Sequence, residues 1–288
     1  MSLEIYNNAS FFCSKKITQN YSTSFSLGIK TLSHGLQDPI YAIYGMVRVA
    51  DEIVDTFHQY PQKELLDKFK QDTFDAIRME ISTNPVLQCF QATVNKFNIP
   101  LDLIEAFFDS MYMDLSKIEY NSELYQKYIY GSAEVVGLMC LKVFCYEDDE
   151  TYSKLQKPAR ALGAAFQKVN FLRDFKNDFK DLGRLYFPNI NFSKLTPDDK
   201  KEIERDIEKD FIESYKGIIL LPKSSRYGVL LAFQYYQGLL SKIKQSSVEH
   251  LHSERIRVSN AHKLILLGKM LFRKNFSNQI ITIANTPA

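Results

Sequence analysis

Residues 167–178 read Gln167-Lys168-Val169-Asn170-Phe171-Leu172-Arg173-Asp174-Phe175-Lys176-Asn177-Asp178, and the rest of the chain is best read outward from them. Gln167, Asn170, Asp174 and Asp178 step by 3, 4 and 4, which places them on one face of a helix. Ala164, Ala165, Phe166, Val169, Phe171, Leu172 and Phe175 surround that stripe with apolar side chains. A polar stripe on an otherwise apolar helix needs partners, because unpaired buried polar groups and charges are costly.

A matching stripe lies upstream in Arg48-Val49-Ala50-Asp51-Glu52-Ile53-Val54-Asp55. Asp51 and Asp55 are four apart, Arg48 precedes Asp51 by three, and Tyr44 and Tyr41 are expected on the same face. With 34 acids in 288 residues, about four acidic pairs at this spacing arise by chance, so one pair alone is weak. Two such helices facing each other would converge four aspartates in one cavity. Close carboxylates repel, so some protonate or a cation neutralises them. Mg²⁺ is the natural cation, being hard, oxygen-seeking and commonly shared between carboxylates and substrate phosphates. Asn170 can add a neutral oxygen. Arg48 and Arg173 beside the acids suit bidentate holds on phosphate oxygens. Metal, arginine and a large apolar cavity together point to a diphosphate leaving group on a hydrocarbon chain.

The surrounding sequence supplies that cavity. Alternating strand patterns are missing and helical periodicity prevails. Asn84-Pro85 and Ile99-Pro100 break it, and Thr196-Pro197-Asp198-Asp199 opens a helix with an N-cap, an early proline and acids at the positive dipole end. Helices are predicted near 6–30, 37–57, 61–82, 86–97, 101–118, 122–145, 150–179, 197–218, 224–245 and 259–274. In the helix after Thr196, the spacing buries Ile203, Ile207, Phe211 and Tyr215, and leaves Lys200, Glu202, Glu204, Arg205 and Glu208 in solvent. The expected architecture is all-α, a single domain over 1–288 with frayed ends at 1–8 and 280–288. A folded chain of this length buries roughly three quarters of its extended surface, enough to enclose a cavity between long helices.

Composition excludes other classes. The net charge is +2, from 36 Lys and Arg against 34 Asp and Glu, so no global field exists for nucleic acid. Cys13, Cys89, Cys140 and Cys145 form no C-x-x-C pair and read as buried thiols of a reducing compartment. The five histidines, His34, His58, His250, His252 and His262, form no ligand-spaced helical pair, and no G-x-S-x-G is present. No signal peptide opens the chain, and no apolar run reaches the roughly 20 residues needed to span a bilayer. The expected location is cytoplasmic, with apolar helical faces leaving peripheral membrane contact open.

Several ordered motifs match one family. Tyr21-Ser22-Thr23-Ser24-Phe25, the run Tyr41 to Asp55, Tyr128-Ile129-Tyr130-Gly131-Ser132-Ala133, the segment from Leu162 through Asp178 to Gly183-Arg184-Leu185-Tyr186-Phe187-Pro188, Tyr236, and Arg255-Ile256-Arg257-Val258 with Lys263 resemble the squalene/phytoene synthase family. The likeness runs from about residue 13 to 264. It implies the isoprenoid synthase fold, with the two aspartate helices facing across a central cavity. It further implies that Asp51, Asp55, Asn170, Asp174 and Asp178 hold two or three Mg²⁺ ions, Mn²⁺ being an alternative. Arg48, Gln167, Arg173, Arg184, Tyr186 and Arg255 would contact diphosphate, and Ser22, Ser24, Tyr128 and Tyr236 would line its two sites, beside Tyr44. The chain departs from the pattern at Glu134, where the family usually has glycine, at Thr23, at Leu36-Gln37-Asp38, and in a one-residue insertion near Ser247–His250.

The resemblance implies two ionisations. One diphosphate departs as Mg²⁺ neutralises it, the allylic cation alkylates a second prenyl diphosphate, and a cyclopropyl diphosphate forms, ionises and rearranges. Tyr41, Tyr44, Phe25 and Phe171 are placed to face the cation. The favoured product is phytoene, from two geranylgeranyl diphosphates, in carotenoid biosynthesis, without NADPH and with a downstream desaturase as consumer. The rival within the family is a thirty-carbon synthase acting on farnesyl diphosphate, with length set by the cavity floor near Ile29 and Leu138. A rival of another class is a non-catalytic assembly factor.

Overall fold

A computed structural model describes residues 2–116, 120–176, 186–188, 190, 195–253 and 255–257, with the single positions 265 and 268. Its helices are α1 (Leu3–Tyr21), α2 (Thr23–Lys30), α3 (His34–Asp55), α4 (Gln62–Met79), α5 (Pro85–Phe97), α6 (Leu101–Asp114), α7 (Ser122–Ile129), a π-helical turn (Tyr130–Glu134), α8 (Val135–Phe144), α9 (Asp149–Arg173), α10 (Pro197–Ile218), α11 (Lys223–Gln245) and α12 (Val248–Ser253). All regular structure among the described residues is helical. The helix expected at 259–274 and the chain end at 280–288 lie outside the described residues apart from 265 and 268; at the other end, residues from Leu3 are already helical.

The sequence runs 6–30 as one helix, but the chain breaks at Ser22. That residue is extended (φ −143°, ψ 100°), and its hydroxyl accepts from the Phe25 amide at 3.2 Å, capping α2. Serine is a favoured N-cap, so the break needs neither glycine nor proline. The run expected at 122–145 is interrupted by the π turn, a feature often found at functional sites. The turn lies so close to α9 that a Cβ on Gly163 would sit 2.5 Å from the Ala133 carbonyl oxygen, so only glycine fits there.

Two apolar clusters flank the cavity described below. One joins α3, α4, α5, α6 and α8 through Tyr41, Met46, Leu87, Phe90, Ile104 and Phe107. The other joins α7, α9, α10 and α11 through Val169, Leu172, Ile207, Phe211, Leu239 and Ile243. In α10, Thr196 and Asp199 form a reciprocal capping box. Its apolar stripe holds through Ile203, Ile207 and Phe211, then shifts to Ser214 and Ile218, leaving Tyr215 about half exposed, at 48%. A strict four-residue step advances the face by about 40° each time, so by Tyr215 the stripe has rotated outward. Nor is the charged side of α10 wholly solvated. Lys200 and Glu204 are buried, paired to each other at 2.5 Å, and Lys200 also donates to the Lys244 carbonyl at 3.4 Å on α11. Mutual neutralisation across one turn makes their burial tolerable.

Candidate active site

One cavity of about 490 Å³ lies between these clusters. On α3 it is lined by Ile40, Ile43, Tyr44, Val47, Arg48, Asp51 and Asp55, and on α9 from Leu155 through Gln167 to Asp174. Leu155 to Asp174 is 19 residues, or about 28 Å of helix, so the cavity is elongated. Its two ends differ: the carboxyl-terminal turns of α3 and α9 bring acids and arginines, and the other end is apolar. The sequence places Tyr41 on the Asp51 face, but Tyr41 is fully buried in the core and does not line the cavity. Ten residues at 100° leave it about 80° off that face. Tyr44, seven residues before Asp51, returns to within about 20° and does line it.

At the polar end, charges are paired. Arg48 forms ion pairs with Glu52 and, at 3.7 Å, with Asp51, and its guanidinium lies over the Tyr21 ring at 4.4 Å. Asp174 is held by two arginines: Arg173 Nε donates to Oδ1 at 3.0 Å and Arg255 Nε approaches Oδ1 at 2.6 Å. Burial alone would lower the Arg173 pKa, but the Asp174 carboxylate outweighs it and the net shift is upward. Tyr236 donates to Asn170 Oδ1 at 3.2 Å. Burial pushes the Tyr44 phenol up to about 12, against the opposing pull of Arg48, and Tyr44 is hydrogen-bonded to Ser22. Phe166 stacks on Tyr236 and Phe171 on Tyr186, both at 3.9 Å between centroids, so aromatic faces flank Asn170 on either side along α9.

Of the residues singled out by sequence, Ser22, Tyr44, Arg48, Asp51, Asp55, Tyr128, Gln167, Asn170, Arg173, Asp174, Tyr186, Tyr236 and Arg255 all line this cavity. Ser24 does not. Asp178 and Arg184 lie outside the described residues. Among the described residues, no three His, Cys, Asp or Glu side chains stand close enough together to hold a metal ion. The donor set still suits a hard cation: Asp51, Asp55, Asp174 and Asn170 offer only oxygen, and at Asp174 guanidiniums supply the neutralising charge. Tyr21 and Ser132, inside two of the quoted motifs, also line the cavity, and so does Asp114, which no motif contains. Asp114 ends α6 and accepts from Tyr128 at 2.9 Å and Tyr186 at 3.4 Å. Glu134, the departure inside the mid-chain motif, pairs instead with Arg160 at 2.5 Å and does not line the cavity.

The apolar end is closed by Leu32, Leu141, Phe144, Leu155 and Leu221. Ile29 lines the cavity but Leu138 does not; Leu138 points into the core packed around α3 and α6, and Gly137, Cys140 and Leu141 face the cavity instead. Among the described residues, no helix is long and apolar enough to cross a membrane.

Comparison with known proteins agrees on one family. The family model described as squalene/phytoene synthase matches residues 18–262. The chain is 30% identical to chloroplastic phytoene synthase 2 of Solanum lycopersicum over 88% of this chain and 86% of that protein. It is 29% identical to chloroplastic phytoene synthase 1 of the same organism over 88% of this chain, spanning 65% of that protein's length. Among solved structures, a dehydrosqualene synthase with bound ligand superposes with a TM-score of 0.80 at 20% identity, covering 93% of this chain and 97% of that one. The squalene synthase HpnC from Alicyclobacillus acidocaldarius gives 0.71 at 20% identity, covering 85% and 96%. At that identity the superpositions establish the shared fold.

Proposed function

The chain belongs to the squalene/phytoene synthase family of head-to-head prenyltransferases, and from that premise we propose that it joins two geranylgeranyl diphosphates to make phytoene. The observation that carries this reading is a long cavity with acids and arginines at one end and a mainly apolar lining at the other. A diphosphate fits the first end and a polyprenyl chain the second. The phytoene synthase relatives favour the forty-carbon product. The dehydrosqualene synthase likeness keeps a thirty-carbon product as the second reading.

The chain's own residues divide the work. Asp51, Asp55, Asn170 and Asp174, with Asp178, would hold Mg²⁺, which when bound neutralises charge on the departing diphosphate. Arg48, Arg173 and Arg255 are held by carboxylates in the free protein. They exchange those partners for diphosphate oxygens, bidentate contacts that planar guanidinium favours. Ser22 and Tyr44 orient the first substrate's head. The neutral Tyr44 phenol stays a donor across the working pH range, since burial holds it at about 12. Once the allylic cation exists, the pairs Phe166–Tyr236 and Phe171–Tyr186 present π faces to it, and the apolar floor keeps water from quenching it. No step needs a covalent nucleophile or a reductant.

The test is a product assay. Purified protein is given geranylgeranyl or farnesyl diphosphate with Mg²⁺, with and without NADPH, and the extract is read by mass. A forty-carbon hydrocarbon formed without NADPH is expected. A thirty-carbon product from farnesyl diphosphate alone would move the assignment to the second reading.

A further inference from the structure

Asp114 is the carboxylate in this cavity that neither aspartate stripe supplies. It is the last residue of α6, where the helix dipole is negative, and the last turn of α6 carries no basic residue. An acid is disfavoured there by the dipole, so its position asks for a reason beyond helix stability. It lines the cavity and accepts hydrogen bonds from two phenols on different segments, Tyr128 of α7 and Tyr186. Those rings are packed together, with centroids 5.0 Å apart. Tyr120 touches both, at 5.4 and 5.5 Å, and Phe171 of α9 stacks on Tyr186 with ring planes only 8° apart. The carboxylate thus lies beside a continuous aromatic wall that includes cavity-lining Tyr128, Phe171 and Tyr186.

Two physical consequences follow. First, each phenol donating to one carboxylate loses rotational freedom, so the ring faces are fixed relative to the cavity. Second, O–H donation to an anion pushes electron density into the ring, which makes its π face more negative and a better partner for a cation. Burial, joined by the Asp114 charge, holds the Tyr128 phenol well above its ordinary value, so it remains a donor.

We propose that Asp114 is a positioning residue: through the hydroxyls of Tyr128 and Tyr186 it orients and polarises the aromatic wall that stabilises the carbocations formed after diphosphate departs. This rests on the ionisation chemistry proposed above, and it separates binding from turnover. Substrate affinity depends on the arginines and acids at the polar end, whereas the lifetime of the cation depends on the wall.

The test compares Asp114→Asn, Tyr128→Phe and the double variant with the unaltered protein. Asparagine keeps the size and a weaker acceptor but removes the charge. The expected result is a kcat reduced by about tenfold or more with KM changed by less than about threefold, and a raised share of cyclopropyl diphosphate over hydrocarbon. Because Asp114 acts through Tyr128 and Tyr186, removing the Tyr128 hydroxyl adds little once the charge is gone, and the double variant should be about as slow as Asp114→Asn alone. Additive losses, or a KM rise matching the kcat loss, would show that Asp114 meets the substrate directly and would overturn the proposal. A second readout needs no turnover. The near-ultraviolet circular dichroism of the tyrosines should change in Asp114→Asn at unchanged unfolding temperature, and should not change in Asp109→Asn, an exposed acid on the same helix. An unchanged tyrosine signal in folded Asp114→Asn overturns the proposal even if the protein turned over no prenyl diphosphate. That inactivity, seen in the unaltered protein, would instead count against the enzymatic reading. If Asp114→Asn does not fold, Tyr186→Phe removes one of the two bonds and keeps the charge, and its tyrosine signal and kcat carry the same two outcomes.

Discussion

The two ends of the cavity are built by different means. The polar end is local. Arg48, Asp51 and Asp55 fall within eight residues of one helix, and Gln167, Asn170, Arg173 and Asp174 within eight of another. Its side chains are charged, partly exposed and already paired with one another. The apolar end is assembled from α2, α8, α9, α10 and α11, brought together by backbone contacts as close as that of Gly217 in α10 with the Pro158 ring in α9. The two acid stripes and their adjacent arginines are therefore concentrated in two short segments, while the shape of the apolar end is spread over five helices. Changes at the first end should alter rate without altering stability, and changes at the second should do the reverse.

The largest effect should come from the polar end. Asp174→Asn keeps the shape but removes the charge that Arg173 and Arg255 share, and kcat should fall on the order of 10³-fold, as when charge stabilisation is lost from a reacting group. The unfolding temperature should not move. Near-normal turnover at saturating Mg²⁺ would remove Asp174 from the machinery.

The contrast in wetness is next. Burial holds the Cys140 thiol up to about 12 from its ordinary 9.0. A raised thiol pKa means that thiolate forms only as pH rises toward that value, so at pH 8 its thiolate fraction is about 10³-fold lower than that of an ordinary thiol. Maleimide labelling of Cys140, followed by peptide mass, should be correspondingly slow in the folded protein and rapid after denaturation. Equal rates would mean that water reaches the floor.

Stability distinguishes the ends a third way. In Gly217→Val the new Cβ would overlap the Pro158 ring, and the strain should cost about 1–3 kcal/mol. At about 2–4 °C per kcal/mol for a protein of this size, calorimetry would register a clear fall in unfolding temperature. An unchanged temperature would show that α9 and α10 separate freely and that the floor has no fixed depth.

The smallest effect is expected at Glu134, which belongs to neither end. Its pair with Arg160 is partly exposed, so Glu134→Gln should change stability by less than about 1 kcal/mol and leave kcat within about twofold. A large loss of kcat would place the π turn in the reaction after all.

The same division explains what the sequence could disclose. Helical periodicity and the two acid stripes are local patterns, and the all-α fold and the polar end of the cavity are legible from them. Tyr41 and Tyr215 were misplaced because small errors of helical phase accumulate over ten or more residues. Ser22 hid a helix break behind a hydroxyl that caps its own helix. Lys200 and Glu204 looked like solvent-facing charges because their burial depends on α11, 40 residues away or more. Asp114 had no signal of its own: a single acid after Met113, given meaning only by two tyrosines, 14 and 72 positions along the chain. The floor was least legible, since Leu138 and Cys140 are two residues apart and both pack with the same core cluster, yet only Cys140 also lines the cavity.

The central claim is that one cavity ionises two prenyl diphosphates and joins their chains without a reductant. The most direct measurement is stoichiometry: diphosphate released per hydrocarbon formed, with geranylgeranyl diphosphate and Mg²⁺ and no NADPH. The account predicts two diphosphates for each forty-carbon hydrocarbon. One diphosphate per product, or release without any coupled hydrocarbon, would contradict it.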